Sequence, residues 1–265
     1  MLILAYRCLF FNRGEQEMEI KVVKLYENGF MTGKLALGGD GDAIDAGLRF
    51  PSSLQNFLID TGSEVILVDT GMPKETPDTP PNDKTQVYMG TRVADYVSAL
   101  EALGYKPEQV SKILVTHKHP DHTGELRAFP NAKVYIGKED AEALKLSGDN
   151  IICPEFSDGP YHNFPRSQKI ADGVWYIPAR GHTKGNCIVI AEKDGLFYMM
   201  HGDVTYTDEA LVQNKLSIIY EDKEAARTTL DQVRAFIKAN PTVYLSTHTP
   251  FGVSSLENKT VMKLD

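Results

Sequence analysis

His117-Lys118-His119-Pro120-Asp121-His122 puts four strong metal-binding side chains within six residues, at i, i+2, i+4 and i+5. They follow Lys112-Ile113-Leu114-Val115-Thr116, an apolar run that reads as a short buried strand. The spacing matches neither a zinc-finger knuckle nor the i, i+4 helical pair of a zincin. On a loop leaving a strand, His117 and His119 can face one way while Asp121 and His122 turn another. One loop can then feed two ions. The competing reading is a chance polar run in an exposed turn, and three of the chain's seven histidines in one window argue against it.

A hexapeptide cannot close a metal site alone, because each ion takes about four to five donors once water is counted. The others are expected on later loops, and three residues stand in matching contexts. His182 follows the strand-like Val174-Trp175-Tyr176-Ile177, Asp203 follows Leu196-Phe197-Tyr198-Met199-Met200, and His248 follows Thr242-Val243-Tyr244-Leu245. The pattern HxHxDH with a distant His, Asp and His resembles the metallo-β-lactamase superfamily. All seven positions agree in order and flanking context, across roughly residues 20–250.

The resemblance implies an α/β fold, the four-layer αββα sandwich of the metallo-β-lactamase type, with the site along one edge where loops meet. It implies that His117, His119 and His182 bind one divalent ion, that Asp121, His122 and His248 bind the other, and that Asp203 bridges them. The chemistry is coherent. Neutral imidazoles suit zinc, with manganese or iron as alternatives, and a carboxylate bridge offsets the repulsion of two dications. Two ions about 3.5–4 Å apart can share a hydroxide with a pKa near 7, a nucleophile needing no Ser or Cys. Asp69, at the end of Glu64–Asp69, matches a superfamily position suited to accept the free ring N–H of a bound histidine.

Within the superfamily, class B β-lactamases typically carry Cys where this chain has Asp203. Flavodiiron proteins carry Glu in place of His119, and glyoxalase II adds a helical C-terminal region. The chain is most similar to the N-acyl homoserine lactonase (quorum-quenching) group, which adds a Tyr three residues after the bridging Asp; here that is Tyr206. By this likeness Asp121 and Tyr206 are the catalytic residues, and the reaction is opening of a lactone or related carboxylic ester. One departure is Asn186, four after His182, where those lactonases often have another His. The alternatives are a thioesterase of glyoxalase II type and a metal-loaded redox or sensor module that hydrolyses nothing.

Composition agrees. With a formal net charge of −8, the 265 residues do not suggest a phosphate-tracking surface, so a small-molecule substrate and no nucleic acid are expected. A hydrophobic content of 42% suits one domain over residues 1–265. Cys8, Cys153 and Cys187 form no CxxC pair, which suits a reducing compartment, and no run approaches a membrane span. Met1–Phe11 is apolar without a basic start and reads as a strand rather than a signal peptide, so the cytoplasm is expected. Oligomeric state is written in no motif.

Along the chain, Glu19–Tyr26 reads as a strand, and the glycine-rich 28–53 as an irregular segment that covers substrate or merely loops over the surface. Leu54–Asp60 and Glu64–Asp69 form a hairpin around Thr61-Gly62-Ser63. Residues 72–90 are a prolyl loop, and Val93, Tyr96, Val97, Leu100 and Leu103 mark a helix. Ala132–Ile136 is a strand and Lys138–Leu146 a helix. Residues 149–168 are irregular, with Phe156, Tyr161 and Phe164 walling a pocket or pinning the loop; His162 there is most simply solvated. A hairpin turns at Lys193-Asp194-Gly195. The last helix carries Ala226, Leu230, Val233 and Ile237 between Asp222 as N-cap and Asn240-Pro241 as stop. His201, two before Asp203, reads as packed or supporting rather than ligating.

Overall fold

The computed structural model describes residues 17–265. Met1–Phe11, read above as a strand, and Cys8 lie outside the described residues. The first half of the chain builds a seven-stranded sheet. Its members are β1 (Glu19–Thr32), β2 (Arg49–Asp60), β3 (Val65–Val68), β4 (Val87–Arg92), β5 (Val110–Leu114), β6 (Lys133–Tyr135) and β7 (Ile151–Ile152), in the order β4-β1-β2-β3-β5-β6-β7. The second half builds a five-stranded sheet from β8 (Gln168–Ala171), β9 (Val174–Pro178), β10 (Cys187–Lys193), β11 (Leu196–Met200) and β12 (Thr242–Leu245), in the order β12-β11-β10-β9-β8. The helices are α1 (Gly33–Leu37), α2 (Tyr96–Ala102), α3 (Pro120–Thr123), α4 (Lys138–Ala143), α5 (Asp208–Val212), α6 (Lys223–Ala239) and α7 (Phe251–Asn258).

Period-two alternation assembles the layers, because successive strand residues face opposite sides of a sheet. On β2, Leu54 and Leu58 face α2, while Phe57 and Ile59 face the second sheet. On β10, Cys187, Val189 and Ala191 meet the first sheet, whereas Ile188 and Ile190 pack against Leu230, Val233 and Phe236 of α6. Three apolar strata therefore separate four layers, and the αββα sandwich expected from the sequence is the fold. Each fully buried aliphatic or aromatic side chain contributes about 1.5–3 kcal/mol to it.

Strand direction then decides where loops meet. β3, β5 and β6 run parallel, so the segments after β3 and β5, which carry Asp69 and His117, leave the sheet side by side. β11 and β12 are likewise parallel, which sets Asp203 beside His248. β9 pairs antiparallel with β10, as does β11, so the loop bearing His182 exits at the same end.

The hairpins are as expected: β2 pairs with β3, and β10 turns into β11 through Asp194 (φ 55°) and Gly195 (φ 75°), a left-handed pair matching the twist of the strands. Asp222 caps α6 by accepting from the Ala225 amide. Residues 28–53 are more regular than their glycines suggest. β1 runs on to Thr32, whose hydroxyl accepts from the Leu35 amide and caps α1, and β2 begins at Arg49. Gly29 and Gly90 explain the misreading, since a Cβ at either would collide with the facing β1–β4 backbone. The same pairing turns the end of the prolyl stretch into β4. Val93 is 51% exposed, outside the apolar face of α2, and α4 ends at Ala143. No helix among the described residues is long and apolar enough to cross a membrane.

Candidate metal centre

Thr116, His117 and Lys118 leave β5, and His119 precedes the one-turn helix α3, where Pro120 occupies the first position and needs no N–H partner. Asp121 and His122 thereby fall in a different group from His117 and His119, although the rings of His117 and His122 lie 3.9 Å apart. The side chains gather into two groups. His117, His119, His182 and Asp203 form one, Asp121, His122 and His248 the other, each with its donor atoms within 4.8 Å of one another.

In the first group His117 Nε2 lies 3.0 Å from His119 Nδ1 and 3.2 Å from His182 Nε2, and His182 Nε2 lies 3.0 Å from His119 Nδ1. Three ring nitrogens at such spacing cannot all be paired by protons. They match the edges of a tetrahedron of donors about 2.0–2.1 Å from a central zinc. Asp203 divides its carboxylate between the groups. One oxygen is 3.3 Å from His182 and 3.7 Å from His117, while the other is 3.2 Å from His122 and 3.0 Å from His248. Asp121 completes the second group, 3.6 Å from His122 and 3.4 Å from His248. His122 Nε2, His248 Nε2 and that Asp203 oxygen are buried without a well-aligned hydrogen bond, their lone pairs converging on a shared point rather than on each other. Such orphaned donors fit a cation.

The opposite edges of three of the rings are held. His122 Nδ1 is 2.8 Å from Asp69, which also accepts from the Thr116 amide and hydroxyl. His117 Nδ1 is 3.1 Å from the same hydroxyl, and His182 Nδ1 faces the Ile219 carbonyl at 3.1 Å. These contacts orient those three imidazoles toward the centre. Asp69 stands where the sequence reading put it, at a left-handed φ of 65°.

Burial drives the pKa of His117 well below the usual histidine range and lowers His182, the direction that favours the neutral ring a metal needs. For Asp203 burial acts upward, but the surrounding His248, His122, His117 and His182 outweigh it and hold the carboxyl well below its ordinary range. Burial also opposes the charging of His122, yet Asp121, Asp69 and Asp203 raise it well above the ordinary value.

Tyr206 lies against both groups. Its ring stacks on His248 at 5.3 Å and 12° and meets His182 edge-on at 6.0 Å. Burial first, then Asp203 and Asp121, raise its phenol well above 10, so it remains a neutral donor. It shares an apolar cluster with Met31, Leu35 and Leu37, flanked by half-buried Phe50 and Ile218. The 28–53 segment thus adjoins the centre.

Other candidates stand apart. His201 is buried, stacked on Tyr244 at 3.8 Å, and pushed down to about 3 by burial; it belongs to neither donor group. His162 is exposed and rests on Tyr161, Phe197 and Phe236, and Tyr161 and Phe164 pin their loop to the α6 face rather than walling a pocket at the centre. Cys153 and Cys187 are free, and burial pushes the Cys187 thiol up to about 12, away from nucleophilic chemistry. Sequence reasoning missed Thr116 and Asp140, polar residues whose role depends on partners distant in the chain.

Comparison with known proteins agrees with this geometry. Residues 55–254 match the profile of the metallo-β-lactamase superfamily. An N-acyl homoserine lactonase from a Bacillus species is 26% identical over 205 residues, covering 71% of this chain and 78% of the relative. The structure of a Bacillus thuringiensis AiiA variant with N-decanoyl-L-homoserine at its active site superposes with a TM-score of 0.69 at 19% identity, covering 90% of this chain and 95% of the other. AidC, described as a dizinc quorum-quenching lactonase, superposes with a TM-score of 0.63 at 14% identity, covering 88% of each chain. With the matched profile spanning most of the chain, over a sandwich whose strand ends converge on two His/Asp groups, the protein belongs to the metallo-β-lactamase superfamily and is a metal-dependent hydrolase.

Proposed function

We propose that the protein opens lactones or related carboxylic esters with two divalent ions, N-acyl homoserine lactones being the first substrates to try. The observation that carries this reading is the Asp203 carboxylate, whose two oxygens face separate donor groups. On it, His117, His119 and His182 would hold one ion, Asp121, His122 and His248 would hold the other, and Asp203 would serve both. Zinc is the first candidate, with manganese or iron as alternatives. Such a pair, when bound, supplies a hydroxide at neutral pH and Lewis acidity at the substrate carbonyl.

The chain's own residues do the rest. Tyr206 Oη donates to the carbonyl oxygen as negative charge develops there, and its raised pKa keeps that proton in place. Asp121 lies at the centre's more open side, 14% exposed, positioned to take the proton of the hydroxyl added to the carbonyl carbon and return it to the alkoxide that leaves as the ring opens. The apolar cluster around Tyr206 suits an acyl group rather than a polyanion. The relatives named N-acyl homoserine lactonase support this substrate class. The same reading takes residues 1–265 as one domain with its core at roughly 20–250, acting on a small molecule in the cytoplasm.

The test is metal analysis coupled to kcat/KM over a panel of lactones, thioesters and phosphodiesters. Two equivalents of metal and a lactone as the best substrate are expected. A single equivalent in fully active protein ends the two-ion reading, and a phosphodiester or thioester ahead of every lactone ends the proposed substrate class.

A further inference from the structure

Asp140, on α4, ligates nothing in either donor group, yet it is fully buried. One carboxylate oxygen accepts from the Lys118 amide at 2.9 Å and from the Thr183 hydroxyl at 2.6 Å, and the other accepts from the Gly185 amide at 3.0 Å. Lys118 stands between His117 and His119, and Thr183 follows His182. The carboxylate therefore ties together the two backbone segments that carry the three histidines of the first group. The contact is built closely. A Cβ on Gly185 would fall 2.7 Å from Asp140 Cγ, and one on Gly137 would fall 2.0 Å from the Gly185 carbonyl oxygen. A second tie lies outside it: Lys118 Nζ pairs with Glu221, whose other oxygen accepts from the Lys184 amide at 2.9 Å.

The second group has different supports. Asp69 holds the His122 ring, the Thr70 amide donates to the His122 carbonyl at 2.7 Å, and the Ser53 amide donates to the His248 carbonyl at 3.0 Å. Asp69 also reaches His117 through Thr116, so it serves both groups. Asp140 reaches only one.

We infer that Asp140 is a positioning residue for one ion alone, setting the affinity of the His117/His119/His182 position without setting that of its neighbour. The inference rests on the two-ion reading above. A buried carboxylate accepting three donors is hard to replace. Asparagine in its place offers one acceptor oxygen and turns an NH2 toward a donor, leaving a buried N–H or O–H unpaired.

Asp140→Asn and Thr183→Val test it, the latter removing one hydroxyl at constant shape. Metal-free proteins are reloaded with zinc against a chromophoric chelator to obtain stepwise dissociation constants. Anomalous density from crystals grown at one equivalent of zinc assigns each constant to a position. The expected result is an affinity about 10- to 100-fold weaker at the three-histidine position, with the Asp121/His122/His248 position within about threefold of wild type. General destabilisation would weaken both positions together, and that outcome overturns the inference. So does an unchanged affinity in a Thr183→Val protein that melts, metal-free, like wild type. Should Asp140→Asn fail to fold, Thr183→Val carries the comparison. Uptake of one zinc by wild type would instead show the two-ion reading to be wrong. The inference then stands if that ion sits among the three histidines and Thr183→Val weakens it tenfold or more, and falls otherwise.

Discussion

Tyr206 follows Asp203 by three residues, and the turn between them folds its ring back over His248. A phenol there can donate one hydrogen bond to a carbonyl oxygen that becomes an oxyanion, and the removal of one such donor costs about 10- to 1000-fold in rate. Tyr206→Phe is therefore expected to keep its metal and its melting temperature while kcat on the best lactone falls within that range, KM changing much less. Unaltered kinetics in a fully metallated Tyr206→Phe protein would remove this role. At this scale the seven residues that gather in the two His/Asp groups were all legible from one chain, because their order and their placement after strand-like runs are local properties. Thr116 and Asp140 were not, because a threonine or aspartate beside a loop is unremarkable until its partner, 47 residues away for Thr116 and Asp69 and 43 for Asp140 and Thr183, is known.

At the scale of elements, the His182 loop is seated on the first turn of α6. Gly181 has φ +137°, and a Cβ there would fall 2.2 Å from Ala226 Cα and 2.3 Å from its amide nitrogen. The Glu221 and Asp222 amides also donate to the Gly181 carbonyl, so neither side can withdraw cheaply. Gly181→Ala is expected to destabilise the metal-free protein by about 2 kcal/mol or more, from backbone strain together with displaced packing. Urea unfolding would measure it, and an unchanged midpoint would mean that the loop and helix are not rigidly joined. α6 itself was readable from its cap, apolar stripe and Asn-Pro stop. The β1–β4 pairing was not: local composition in a glycine-rich stretch predicts a loop, whereas close strand-to-strand approach requires those same glycines.

For the whole molecule, the donors span both sheets. His117 to His122 leave the seven-stranded sheet, while His182, Asp203 and His248 leave the five-stranded one. Metal held by these residues would thus cross-link two halves whose own joint is the apolar layer of Phe57, Val68, Val189 and Leu245. Metal removal should leave the sandwich folded, since that layer needs no ion, but should lower its stability by mass action. With free metal at about a thousand times Kd the loss is about 4 kcal/mol for each occupied site, or roughly 10 °C in Tm per site for a chain of this size. Differential scanning calorimetry with and without chelator measures the shift, and circular dichroism reports whether the fold persists. An unmoved Tm would deny the cross-link.

What the sequence determined by itself was whatever short-range pattern encodes. Alternating apolar residues specified strands and their inward faces, helical periodicity and caps specified α6, and HxHxDH with its later His, Asp and His singled out the residues that gather in the two His/Asp groups. What only the tertiary structure decided was how those donors are shared and held. Parallel strands bring Asp203 beside His248 and Asp69 beside Thr116, which splits one carboxylate between two groups and lets another orient two imidazoles. No residue-type pattern carries that information, because a carboxylate's partners depend on strand order, and strand order is settled by how the two sheets bury their common apolar face.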